Sequence, residues 1–162
     1  MIALFRVGDK VVYPMHGAGI IEAVEEKEIL GVKQPYYVLN ITTGNMQVMI
    51  PVTKAAELGI RSIVDLMELD DILNNSSKTN LDPSIQWNQR HRVFMDKMRT
   101  GNIQDGVDVI RELAFRSQTK TLSRGEKTVL DQARQIFISE LVLVKGITED
   151  QAVDLLEQMV DC

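Results

Sequence analysis

From Val7 to about Val52 the apolar residues come in short runs broken by turn chemistry, which is the pattern of strands. Lys10-Val-Val-Tyr-Pro14, His16-Gly-Ala-Gly19 and the run from Gly19 to Ile29 read as strands and turns, and Leu30-Gly31 marks the next bend. Tyr36 to Thr42 then pairs through Thr43-Gly44-Asn45 with Met46 to Ile50 as a hairpin. Alternation in that last strand puts Met46, Val48 and Ile50 on one face and Gln47 and Met49 on the other. Four or five strands of this length, about 50 residues in all, are too few for a sandwich; they predict a small Tudor-like or SH3-like barrel that leaves one or two strand edges available.

After Pro51 the period becomes helical. Ser62, with Asp65 three residues on, predicts a helix from Ile63 to Leu73 that ends in the polar tract from Asn74 to Asn80. Asp82-Pro83 is a cap followed by proline and opens a helix to about Met98. Thr100-Gly101-Asn102 separates it from a helix over Ile103 to Phe115. Ser123-Arg-Gly-Glu126 and Thr148-Glu-Asp-Gln151 are capping boxes for two more helices, with Gly146 as the stop between them. The fold class is therefore α+β: a small barrel over residues 1–60, then an all-helical bundle of about five helices over 61–162.

Composition narrows the class of function. Lys and Arg number 18 against 23 Asp and Glu, so the net charge of −5 repels polyanions as a whole. The distribution is uneven: residues 87–134 hold 10 basic and 6 acidic side chains, while the flanking segments are both acidic. Any nucleic-acid contact therefore belongs to that middle stretch. The single cysteine, Cys162, allows no disulfide within the chain and fits a reducing, cytoplasmic setting. No segment reads as a signal peptide or membrane span, so no membrane partner is expected.

Signals for catalysis are weak. Gly125-Glu-Lys-Thr128 lacks the Gly-Lys step and the upstream glycine of a phosphate-binding loop, and His16 and His91 lie in different halves with no zinc-ligand set. A non-enzyme with no cofactor, metal or small-molecule substrate is expected. Trp87 supports two readings. It shares a helical face with His91, Phe94 and Met98, as a core residue would, yet Gln89, Arg90 and Arg92 flank it, as around an apolar wedge that enters a base step while cations hold the phosphates. Arg124 and Lys127 sit in the first turn of their helix, where they oppose its dipole unless an anion is near. Met49, outward on its strand beside Gln47, is a stray apolar side chain or part of a protein contact.

The run from Phe5 to Gly19 (Phe-Arg-Val-Gly-Asp-Lys-Val-Val-Tyr-Pro-Met-His-Gly-Ala-Gly), Ile50-Pro51, Trp87 with Arg90 and Arg92, Leu122 to Lys127 and Ala133-Arg-Gln135 together resemble the CarD/CdnL family of bacterial transcription regulators. The likeness covers nearly the whole chain in order, and Val7 to Pro14 is also similar to the polymerase-binding module of transcription-repair coupling factors. It implies a Tudor-like domain that binds the RNA polymerase β subunit and a helical domain that touches promoter DNA at the upstream edge of the bubble, weakly and without reading sequence. Matched by motif, the wedge falls on Trp87, phosphate contacts on Arg92 and Arg90, and a further basic contact on Lys127. On the polymerase side, positions commonly arginine in relatives fall on Lys27, which keeps the charge without the planar fork, and Met49, which carries none.

Two functions follow. The first is a polymerase-bound regulator that stabilises the open complex, with Trp87, Arg90, Arg92, Arg124 and Lys127 toward DNA and Lys27, Gln47, Val48 and Met49 toward polymerase, through an edge strand that includes Met46 to Ile50. The second is a purely protein-binding adaptor of polymerase in which Trp87 is core.

Overall fold

Turn geometry sets the sheet. The computed structural model describes residues 4–74 and 86–160. Leu30 and Gly31 both take positive φ, 53° and 78°, the combination a two-residue hairpin needs to match strand twist. They join β2 (Gly17–Ile29) to β3 (Val32–Ile41), and the turn through Gly44 and Asn45 joins β3 to β4 (Met46–Pro51). With β1 (Lys10–Tyr13) and β5 (Arg61–Ser62) these form an antiparallel sheet in the order β4-β3-β2-β1-β5. The sheet thus takes in Arg61 and Ser62, two residues beyond position 60. Its inner face buries Val11, Ile21, Tyr37, Leu39, Ile41 and Ile50. The Tyr37 hydroxyl accepts the Phe5 N–H at 2.9 Å, so its one polar atom is satisfied inside the core.

Five α-helices follow: α1 (Leu66–Asn74), α2 (Trp87–Arg99), α3 (Ile103–Thr119), α4 (Arg124–Lys145) and α5 (Glu149–Val160). The expected α+β arrangement, a Tudor-like barrel followed by an all-helical bundle, is the one the chain adopts. The first cap differs from expectation. Ser62 is opposite Val11 in the β1–β5 ladder, so Asp65 caps α1 instead, its Oδ1 accepting the Glu68 N–H at 2.8 Å. The expected cap at Asp82-Pro83 and the tract from Asn75 to Asn80 lie outside the described residues. Helix α3 runs to Thr119, a turn past Phe115. Both capping boxes form, and Gly146 ends α4 in the left-handed region at φ 64°.

Helix α4 joins the halves. It packs on the other four helices and also lies against β2. Ser139 is fully buried at that contact, and its hydroxyl accepts the Ala18 N–H at 2.8 Å. One residue on, Glu140 holds Arg61 through both terminal nitrogens and also accepts the Val64 N–H at 3.0 Å. Val12, Ala18 and Leu143 form a small apolar cluster beside them. Polar pairing and apolar burial together fix the barrel on the helix.

Candidate functional site

Trp87 is the first residue of α2, with Gln86 preceding it in extended conformation. The start of that helix meets the start of α4. The half-buried indole lies against Gly125, where a Cβ would come within 2.9 Å of its Cζ2 and 3.5 Å of its Nε1. One turn along α2, the exposed His91 ring stands edge-on to the indole at a centroid distance of 5.1 Å. Trp87 also packs on the helical core, and as a half-buried residue it keeps part of its surface in solvent.

Arg90 departs from expectation. Its side chain is buried, with Nη1 3.5 Å from Glu126 Oε2, and the Arg116 Nε meets the same oxygen. The buried stripe of α2 is Arg90, Phe94 and Met98, which turns the wheel away from the expected face and leaves His91 outside. The Arg90 guanidinium thus lies in the interior against a carboxylate and not on the surface where a phosphate contact was expected. Glu126 is the hub of this arrangement. Its Oε1 accepts the Ser123 N–H at 3.0 Å, and the Ser123 hydroxyl accepts the Glu126 N–H at 3.2 Å. Burial pushes the Glu126 carboxyl up, but the hydrogen bonds with Ser123 and the charge and hydrogen bond of Arg116 outweigh it and hold the group below its ordinary value of 4.5.

The remaining candidates are exposed. Arg124 and Lys127 lie in the first turn of α4, on either side of Gly125 in the chain and about 100° and 160° around the helix from it. Arg92 is exposed too, but five residues from Trp87 puts it roughly 140° around the helix, on a different face. Lys97, Arg99, Arg116 and Arg134 each face a carboxylate, whereas Arg92, Lys120, Arg124 and Lys127 have no carboxylate partner among the described residues. The expected basic stretch therefore reduces to a few unneutralised cations, two of them in the first turn of the helix that seats Trp87.

On the sheet, Lys27 pairs across from Gln34, Gln47 from Asn40 and Met49 from Val38, so the three candidates share the outer face. Val48 does not. It is opposite Leu39 and its half-buried side chain packs on the barrel core. Strand β4 ends the sheet, which leaves its outer edge without a neighbouring strand among the described residues. The Gln47 amide is already engaged: it donates to Glu22 Oε2 at 3.0 Å, while Asn40 donates to Oε1 at 2.9 Å. Glu22 reaches both because it is the extra residue where the β2–β3 register shifts between Ile21 and Ala23. Sequence reading missed Glu22, Gly125 and Glu126 as site residues; for Glu126 the capping box was a signal, and for Gly125 a glycine in a helical first turn.

Among the described residues, no helix is long and apolar enough to cross a membrane. Residues 5–64 match the family model for the CarD-like/TRCF RID domain, and residues 69–157 match that for the CarD C-terminal domain. The putative transcription factor YdeB of Bacillus subtilis is 46% identical over 148 residues, which span 91% of this chain and 97% of that protein. Two solved structures from Myxococcus xanthus are also similar. The 72-residue N-terminal domain of CarD is 33% identical, covering 36% of this chain and 77% of that one, with a TM-score of 0.32. CdnLNt is 38% identical, covering 40% and 90%, also with a TM-score of 0.32.

Proposed function

This chain belongs to the CarD family of transcription factors, and from that premise we propose that it binds the RNA polymerase β subunit with its sheet and stabilises the open promoter complex with its helical tip. The outer face carrying Lys27 and Met49, with the unpaired edge of β4, is the polymerase surface. The tip contacts DNA without reading sequence, at the upstream edge of the bubble. One observation carries this reading: a partly exposed indole is seated between two helix starts, and Arg124 and Lys127, in the first turn of the second helix, have no carboxylate partner among the described residues.

The chemistry suits a bubble edge. A flat apolar ring gains most where bases are already unstacked, so it favours the open complex over the closed one. The few cations supply only weak affinity for free duplex in an acidic protein. Tethering to polymerase raises the local DNA concentration to roughly millimolar, which makes a weak contact sufficient.

Trp87→Ala tests the proposal. It should leave polymerase binding unchanged and shorten the open-complex lifetime about fivefold to a hundredfold, the equivalent of 1 to 3 kcal/mol for a base–aromatic stack. Trp87→Phe should keep part of the effect, since a flat face remains. A Trp87→Ala variant that melts far below the parent yet leaves lifetimes unaltered returns Trp87 to the core and favours the adaptor reading.

A further inference from the structure

Gly125 occupies the second position of α4, inside a capping box, with ordinary helical φ. Glycine there is unfavourable: it has a larger backbone entropy to lose than alanine, and nothing about the turn demands a left-handed conformation. Gly106, within α3, has open space around its Cα, so a methyl group would be accommodated there without contact. At Gly125 the surroundings are different. A Cβ would lie 2.9 Å from Cζ2, 3.4 Å from Cε2 and 3.5 Å from Nε1, and all three atoms belong to Trp87. The missing side chain is thus a flat seat for one edge of the indole, and His91 stands edge-on to the same ring.

We infer that Gly125 is a positioning residue for Trp87: it fixes the pose in which the indole is presented, and through that pose the strength of the DNA contact. The inference rests on the proposed role of Trp87 at the bubble edge. The three atoms nearest a methyl group at 125 are all at the far end of a side chain, which moves more readily than a helix start. The ring gives way instead. The helix itself benefits from alanine, so the pose of the indole and the stability of the fold respond in opposite directions to one substitution.

The chain has a single tryptophan, so its emission reports this ring alone. The experiment compares Gly125→Ala, Gly106→Ala, Trp87→Ala and the Gly125→Ala/Trp87→Ala double variant, all as full-length protein. Emission spectrum, acrylamide quenching and melting temperature are measured, together with open-complex lifetime on one promoter with RNA polymerase. Gly125→Ala should shift the emission and its quenching, leave the melting temperature at or above that of the parent, and shorten the lifetime about threefold to tenfold, as part of a base–aromatic stack is lost. Gly106→Ala should raise the melting temperature by about 2 °C and leave emission and lifetime alone. In the Trp87→Ala background the substitution at 125 should have no effect on lifetime. Unchanged emission and quenching in Gly125→Ala overturns the seat. An equal loss of lifetime in both backgrounds also overturns it, since the substitution then acts through the helix start and not the ring. If Trp87→Ala leaves lifetimes unaltered while Gly125→Ala still shifts the emission, the DNA role of the indole is what falls.

Discussion

Arg61 and Glu140 form a two-pronged ion pair, Nη1 to Oε2 at 2.9 Å and Nη2 to Oε1 at 2.8 Å, between the last strand of the barrel and the middle of α4. Arg61 Nε also donates to the Gly101 carbonyl at 2.7 Å, so one guanidinium ties the sheet to α4 and to the turn before α3. Glu140 is 2% exposed, and its charge is compensated mainly by this partner.

Removing the arginine should therefore uncouple the halves. Arg61→Met leaves a buried carboxylate with one backbone N–H and should cost about 3 kcal/mol. Calorimetry should show a broadened or split transition. Polymerase binding should persist while the effect on the open complex weakens, because the tip loses its fixed position. A single transition at the parental temperature would show that the pair contributes nothing to the coupling.

Arg90 and Arg92, two residues apart, should give opposite phenotypes. Arg90→Ala removes one of the two guanidinium groups on Glu126, leaving Arg116 in place, and empties a buried position, so it should lower stability by about 2 kcal/mol. Arg92→Ala should melt like the parent and reduce the salt slope of DNA binding by about one. Salt titrations beside melts separate the two; a stable Arg90→Ala variant with a shallower slope would put that guanidinium back at the phosphates.

Lys27→Glu and Met49→Asp change exposed positions on the outer face of the sheet and should leave the fold intact. Each should weaken binding of the full-length protein to RNA polymerase by about tenfold, or 1.4 kcal/mol. Val48→Asp should instead destabilise the barrel, since it replaces a half-buried side chain packed on the core with a charge. Two surface variants that bind like the parent would locate the polymerase contact elsewhere.

Glu126 makes stability depend on pH. Its folded-state pKa is depressed, so its contribution is present above the ordinary value of 4.5 and is lost as pH falls through the folded value. Melts recorded from about pH 7 downward should show a steep acid limb, and Glu126→Gln should start lower and flatten that limb. Equal limbs in the two proteins would mean that the carboxylate is not the group being titrated.

Local chemistry was legible in the sequence, and long-range pairing was not. The capping boxes at Ser123 and Thr148, the stop at Gly146 and the turn at Leu30-Gly31 depend on neighbours within four residues, and each forms. Ser62 failed as a cap because a strand more than forty residues upstream claimed its backbone, which no local signal reveals. Arg90 misled for a related reason. Its charge suggests solvent, but Glu126 and Arg116 arrive from α4 and α3, and a buried cation becomes acceptable only once they do. Alternation along β4 correctly separated Met49 from Val48, although it said nothing of Glu22, whose reach depends on a register shift.

Helix α4 has 22 residues, about 33 Å of rigid rod. Its first turn holds the indole and Ser139 and Glu140 grip the barrel, so about 21 Å, near six base-pair steps, separates the two anchorages. On the proposed reading this makes the protein a yardstick. It would recognise how far the melted segment extends from the enzyme that opened it, whatever bases lie there, and one residue inserted into the rod would swing the tip through about 100°.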